Sequence, residues 1–279
     1  MTASAKRALA LAALALASYL FSVRHLTEIP RVGVVQEMQV ALPRFAQVAM
    51  TGGDRFLAAN IATWRSLVAS TANMQRDNYV VQGRLQSDAA WLNPSHEDNY
   101  YIAAAILPWA GELDAAQFVL KRASVARPYD WQPAFYYAFN LYQIQHKPVE
   151  AAEFLRKAAP FVASEDDRNT MENLAAVWFE KGYEPAVANT IIKNMASGTR
   201  SGAFRKYLLL RAQRLEQLAS LQDAAQRYRS AEGRSPASLD DLVRSGLIES
   251  IPVDPFGLGF GIDQKGNPIL HSRPQQARK

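Results

Sequence analysis

Residues Glu97–Asp130 read EDNYYIAAAILPWAGELDAAQFVLKRASVARPYD. Two apolar stripes lie in this stretch, one on each side of a turn. Tyr100, Ala103, Ala104 and Leu107 fall at i, i+3, i+4 and i+7, and Ala116, Leu120 and Ala123 follow at helical spacing. WAGELD, around Gly111, separates them, so the stretch predicts two helices joined by a tight turn. The pattern recurs along the chain. Pro94 and Pro128 are 34 residues apart, as are Ala89 and Ala123. Ala134, Tyr137, Ala138 and Leu141 repeat the first stripe 34 residues on, and Met171, Leu174, Ala175 and Trp178 repeat it again after 37 more. The second stripe returns at Ala151, Leu155 and Ala158, then more loosely at Val187, Ile191 and Asn194. Further turn signals stand between the stripes, QHKP around Lys147 and EKGYEP around Gly182.

These residues resemble the tetratricopeptide repeat (TPR) family, whose helical hairpins repeat every ~34 residues with a proline near the end of each unit. Ala104, Ala138 and Ala175 occupy the position where that family packs two helices tightly. Alanine suits the position, because a larger side chain would push the helices apart. An additional unit is expected upstream. Its first helix starts at Asp54, an N-cap after Gly52-Gly53, with Leu57, Ile61, Trp64 and Val68 as its packing stripe. Its second helix is expected over 79–92. The resemblance covers about half of the chain and implies an α-solenoid over 54–200. The residue pattern alone also fits a non-repetitive helical bundle, and either way the segment is all-α.

After Gly202 the spacing changes. Leu208, Ala212, Leu215, Leu218, Leu221, Ala225 and Tyr228 alternate steps of three and four, which predicts one long helix over 201–231 that caps the solenoid. The chain then reads GRSPASLDDLVRSGLIESIPVDPFG from Gly233 to Gly257. Gly233 stops the long helix. Ser235 is expected to cap a short helix with Pro236 at its first position, and Gly246 to end it. Asp254-Pro255 starts a turn, and LGFGIDQKGNPILHS reads as a hairpin turning at Gln264–Asn267. The order resembles the C-terminal part of type II secretion pseudopilins at Tyr228, Gly233, Pro236, Leu239, Leu242, Pro252, Asp254, Pro255, Phe256 and Gly257. It departs from them at the N-terminus, which lacks the Phe and Glu of a pseudopilin membrane helix, and some 180 residues separate the membrane segment from the long helix. Only Asp263 lies in the hairpin, so no calcium site is carried over. The fold class expected is therefore mainly α, a TPR-like α-solenoid with a small C-terminal α+β module over 232–279.

Upstream of the repeats, Lys6 and Arg7 precede the uncharged run ALALAALALASYLFSV from Ala8 to Val23, closed by Arg24 and His25. A basic flank and an apolar run form an export signal. Sixteen helical residues measure about 24 Å, a little short of the roughly 20 residues of a usual span and long for a cleaved signal. The expected reading is an uncleaved signal-anchor over 1–25, single-pass in a bacterial inner membrane through residues 8–23, with the rest in the periplasm by the positive-inside rule. The alternative is cleavage at Ala15-Leu16-Ala17, leaving a soluble periplasmic protein. Residues 26–53 are read as a linker that could equally hold a strand and helix or a membrane-surface helix. There is no cysteine, which excludes disulfides, thiolate chemistry and a lipobox. The net charge of +5 is modest, and the export signal argues against nucleic acid as a partner.

The standard catalytic constellations are missing from the sequence. His25, His96, His146 and His271 have no partner at ligand spacing, and no nucleophile elbow or phosphate-cradling loop is present. The reading is a non-enzyme with no cofactor and no metal. SEDDR at Ser164–Arg168 reads as a helix N-terminus, where carboxylates favour the dipole. Aromatic residues gather in YDWQPAFYYAFNLY, where Trp131, Phe135, Tyr136 and Tyr137 read as core at this density, with some lining a concave surface. A partner protein is expected to bind around Tyr100, Trp109, Trp131, Tyr136 and Tyr142. The function expected is a membrane-anchored scaffold for protein–protein interaction in a pilus- or secretion-type envelope machine. The alternatives are a stoichiometric accessory subunit of a membrane complex or extracellular filament, and a soluble periplasmic binding protein or enzyme.

Overall fold

The computed structural model describes residues 3–28, 38–69, 72 and 74–271, with side chains throughout except at residues 3–10 and 26–28. The described residues form a mainly α fold of twelve α-helices and one two-stranded antiparallel sheet, as the sequence leads one to expect. Helix α1 spans Ala3–Glu28, and each of its described side chains, residues 11–25, is exposed. Among the described residues no helix is long and apolar enough to cross a membrane. The basic flank of Lys6 and Arg7, the start of the expected anchor at residues 8–10, part of the expected linker at 29–37 and the C-terminal tail from 272 lie outside the described side chains.

Inside the segment read as a linker, α2 (Arg44–Met50) forms and docks through its polar groups. Gln47 donates to Asp88 Oδ2 at 2.9 Å, and Arg44 pairs with Asp88 Oδ1 at 2.7 Å. Helices α3 (Arg55–Val68) and α4 (Arg76–Leu92) follow. Asp54 caps α3 by accepting from the Phe56 and Leu57 N–H groups. The face of α3 is a correction. Leu57, Ile61, Trp64 and Val68 point to solvent, whereas Ala58, Ala59, Ala62, Thr63 and Ser66 pack inward. Helical spacing shows that a stripe exists without showing which side of the helix meets the core.

The helices continue as α5 (Glu97–Ile106), α6 (Leu113–Ala126), α7 (Trp131–Gln143), α8 (Pro148–Ala158), α9 (Glu165–Gly182) and α10 (Pro185–Gly198). Within the hairpins α3 packs on α4, α5 on α6, α7 on α8, and α8 in turn on α9. Next-but-one helices also touch, α3 with α5, α4 with α6 and α7 with α9, so successive hairpins stack. Small residues allow these approaches. Ala103, Ala138, Ala151, Ala152 and Ala175 are fully buried, and Gly83 sits where a Cβ would come within 3.1 Å of the Ala115 Cβ. Ser164 caps α9, with Glu165, Asp166 and Asp167 in its first turn, where they favour the helix dipole. On α10 the buried face is Ala188, Ile192 and Met195, one residue on from the expected Val187, Ile191 and Asn194. The shift follows from the partner of α10, because it packs most extensively on the long helix that follows.

That helix, α11 (Gly202–Glu232), is ~46 Å long at 1.5 Å per residue. It belongs to two cores. Leu208, Ala212 and Leu215 join the core of α7–α10 with Phe179 and Ile192, while Leu218, Leu221, Ala225 and Tyr228 join Leu239, Leu242 and Phe260 of the C-terminal module. Gly233 ends it in the left-handed conformation, with φ of 68°. Helix α12 (Leu239–Arg244) begins three residues later than the Ser235 cap implies. Its cap is Ser238, and the Asp241 carboxylate accepts from the Ala237 and Ser238 N–H groups. Ser235 and Pro236 are held instead under the hairpin turn, where a Cβ on Gly266 would meet the Ser235 Cβ at 2.5 Å. Strands β1 (Phe260–Ile262) and β2 (Pro268–Leu270) pair in the register Phe260–Leu270 and Ile262–Pro268.

Candidate partner-binding surface

Helices α5 and α7 lie on neighbouring hairpins, and a polar cluster fixes one against the other. Asp130, the N-cap of α7, accepts from the Gln132 N–H at 3.1 Å. Its other oxygen accepts from the Tyr100 hydroxyl at 2.7 Å and from Arg127 Nε at 3.1 Å. Arg127 reaches back to Glu97 at 2.8 Å and lies over the Tyr100 and Tyr129 rings. Gln132 Oε1 also accepts from Tyr101. Burial opposes the Arg127 charge, but the bond to Asp130 and the neighbouring Glu97 outweigh it and raise its pKa. The Tyr100 hydroxyl is pushed far above its ordinary pKa, first by burial and then by its bonds to Tyr101 and Asp130, so it remains a donor.

On this frame sits a row of half-buried rings. Trp131 meets Phe135 at 5.5 Å between centroids, Phe135 meets Phe139 at 6.0 Å and Tyr136 at 5.5 Å, and Tyr136 meets Tyr101 of α5 edge-on at 6.4 Å. The inward side of α7, Ala134, Ala138 and Leu141, is buried; Trp131 and Tyr137 pack against that core, Tyr136 and Tyr101 pack against the core around Tyr100, and Phe135 and Phe139 belong to neither. Burial raises the Tyr136 pKa, and Tyr101 and Asp130 add to the effect, so its phenol stays neutral near pH 7.

The five residues expected from the sequence fall in different places. Trp131 and Tyr136 belong to the row. Tyr100 is fully buried beneath it and holds the frame. Trp109 is 68% exposed in the turn between α5 and α6, and Tyr142 stacks on Trp178 at 4.8 Å. Two further members, Tyr101 and Phe139, were not singled out by sequence reasoning, and Phe135 was read there as core. Trp131, Phe135 and Phe139 stand at i, i+4 and i+8, and that spacing is the signal that marks Phe135 and Phe139; nothing local marks Tyr101.

The row offers ring faces and phenolic hydroxyls. Such groups stack on proline, aromatic or guanidinium side chains and donate hydrogen bonds at the edge, which is the chemistry of recognition. Among the described residues no cluster of His, Asp or Glu is arranged to hold a metal ion. His96 is half-buried at the start of α5, and burial lowers its pKa. A cavity of about 270 Å³ lies between α9, α11 and the C-terminal module. Its two arginines are already committed. Arg211 makes a bidentate pair with Glu180 at 2.7 and 2.6 Å, and Arg214 pairs with Asp254 at 2.9 Å. No protein-family model, curated protein or solved structure matches the chain.

Proposed function

We propose that the chain is a membrane-anchored, TPR-like scaffold facing the periplasm, which holds protein partners for a cell-envelope machine of the pilus or secretion type. The observation that carries this reading is the aromatic row from Tyr101 to Phe139 on a frame fixed by Asp130, Tyr100 and Arg127. A rigid, half-exposed row of rings loses little conformational freedom on binding, and binding hot spots favour such residues. The stacked hairpins support the reading by shape, since such stacks present extended faces to extended or helical segments. The C-terminal module supports the envelope context through its pseudopilin resemblance, which is an analogy of pattern.

The test is gentle solubilisation of membranes containing the full chain with a C-terminal tag, followed by mass spectrometry of what is retained. The reading expects a protein retained at fixed stoichiometry, lost with the Phe135→Ser, Tyr136→Ser double substitution and kept with Trp109→Ser. Elution of the chain alone, cut near Ala17, overturns it.

A further inference from the structure

Helix α3 is built inside out. Its protein-facing side consists of Ala58, Ala59, Ala62, Thr63 and Ser66, all buried. Its outward side carries Phe56, Leu57, Ile61, Trp64, Leu67 and Val68, each between 44% and 62% exposed. An amphipathic helix beside water turns the other way, with bulk inward and polar groups outward. Helix α2, packed alongside, extends the same apolar surface with Phe45 at 78% and Met50 at 76% exposure. The bulky side chains thus form one contiguous patch rather than scattered surface residues, and a contiguous patch marks a contact.

We propose that this outward face of α2 and α3 lies on an anionic lipid surface. Charge favours that occupant. Residues 38–69 hold three arginines, Arg44, Arg55 and Arg65, against one carboxylate, Asp54, the α3 cap; with Arg44 paired to Asp88 of α4, Arg55 and Arg65 still leave this face positive. Placement of the arginines favours it as well. The Arg55 guanidinium lies over the Phe56 ring at 4.6 Å, and Arg44 lies over Trp91 at 5.0 Å, so each extends its stem along apolar surface and keeps its charged head beside it. Apolar bulk with tryptophan and bordering arginine is the pattern of a helix lying in a membrane interface. Chain continuity gives a third argument. Helix α1 ends at Glu28, and the nine residues between it and Met38 let the chain reach at most about 36 Å. A surface that receives α1 is therefore within reach of α3. A second copy of the chain fits less well, because it would set one arginine-bearing face against another. The inference deepens the membrane placement of the scaffold and rests on it, but the two are separable by experiment.

The chain has no cysteine, so Leu67→Cys creates a single labelling site on the outward face, and Val125→Cys on α6, where Val125 is 75% exposed, serves as control. Each full-length variant carries a polarity-sensitive fluorophore and is mixed with phosphatidylcholine vesicles with or without phosphatidylglycerol, and flotation is recorded in parallel. The expected result is a blue-shifted label at position 67, quenched by brominated acyl chains on anionic vesicles, and a water-exposed label at 125. Arg55→Gln weakens the contact about fivefold, the equivalent of one arginine near an anionic surface. With Ile61→Ser and Trp64→Ser the chain still floats through α1, but the label at 67 returns to water. A chain that floats while the label at 67 stays in water overturns the α3 contact and leaves the anchor standing. A folded chain that does not float overturns both. Masking of position 67 in native membranes but not in protein-free vesicles overturns lipid in favour of a membrane protein. Masking without vesicles that grows with protein concentration overturns it in favour of a second copy.

Discussion

Arg214 on α11 and Asp254 in the C-terminal module pair at 2.9 Å with side chains only 14% and 1% exposed. Asp254 also accepts from the backbone N–H groups of Phe256, Leu258 and Gly259, so one carboxylate shapes the IPVDPFG loop and fastens it to the long helix. Arg214 holds the far end as well, donating to the His271 carbonyl at 2.7 Å. Removing one partner of a buried pair leaves the other charge without compensation, at a cost of about 3–5 kcal/mol. Asp254→Ala is therefore expected to raise hydrogen exchange across residues 233–271 while the amides of α5–α9 keep their protection. Adding Arg214→Ala to Asp254→Ala should cost less than either change alone. Equal, additive losses would show that the pair does not act as a unit.

A second prediction concerns the crossing of α8 and α9. A Cβ on Gly182 would come within 2.5 Å of Val149 Cγ2 and 3.2 Å of the Val149 backbone nitrogen. Gly182→Ala should lower stability by about 1–3 kcal/mol through overpacking. Val149→Ala removes the nearer atom, so the double variant should recover part of that loss in denaturant melts. A Gly182→Ala variant as stable as the parent would contradict the close approach.

The frame under the aromatic row separates structure from recognition. Tyr100→Phe removes the hydroxyl that donates to Asp130 and should cost about 1.5–3 kcal/mol, the range for bonds to charged groups. Because Tyr100 is fully buried, partner retention measured well below the melting temperature should be unchanged. Tyr136→Ala should show the reverse, with lost retention and a smaller change in melting.

The module should also respond to acid. Backbone hydrogen bonds from Ala237 and Ser238 hold the Asp241 carboxyl below its ordinary pKa of 3.8, and those from Asn267 and Lys265, with the Asn267 side chain, do the same for Asp263. A carboxylate with a lowered folded pKa contributes fully above its unfolded pKa, and the contribution is lost as pH falls through the folded value. Stability of the hairpin and α12 should thus hold down to about pH 4 and decline below it. Asp241→Asn with Asp263→Asn should flatten that decline in acid titrations followed by hydrogen exchange or chemical shifts of the module.

Local pattern accounts for what is legible in the sequence. The helical hairpins follow from apolar spacing, the Asp54 and Ser164 helix starts from a polar residue ahead of a stripe, and the β-hairpin from its turn at Gln264–Asn267. Orientation and distance account for the rest. Leu57, Ile61, Trp64 and Val68 make a valid stripe, but only the inward alanines and Ser66 show that the stripe faces out. Ser235 is the cap the local pattern offers, and only the Asp241 carboxylate, accepting from the Ser238 N–H, places the cap at Ser238. The pairs Arg211–Glu180 and Arg214–Asp254 join residues 31 and 40 positions apart, where no local signal exists. Of the aromatic site, Trp131 and Tyr136 are legible from density alone, whereas Tyr100 and Tyr101, adjacent in sequence, part into frame and row only through the position of Asp130 and Gln132.

The most direct measurement is photo-crosslinking in living cells with benzoylphenylalanine placed at Phe139 in the row and, separately, at Val125 on α6. The scaffold account predicts a discrete crosslinked protein at position 139, absent at 125 and lost when Phe135 and Tyr136 are replaced by serine. Crosslinks that are the same at both positions, or none at 139 while the chain is folded and in place, would contradict it.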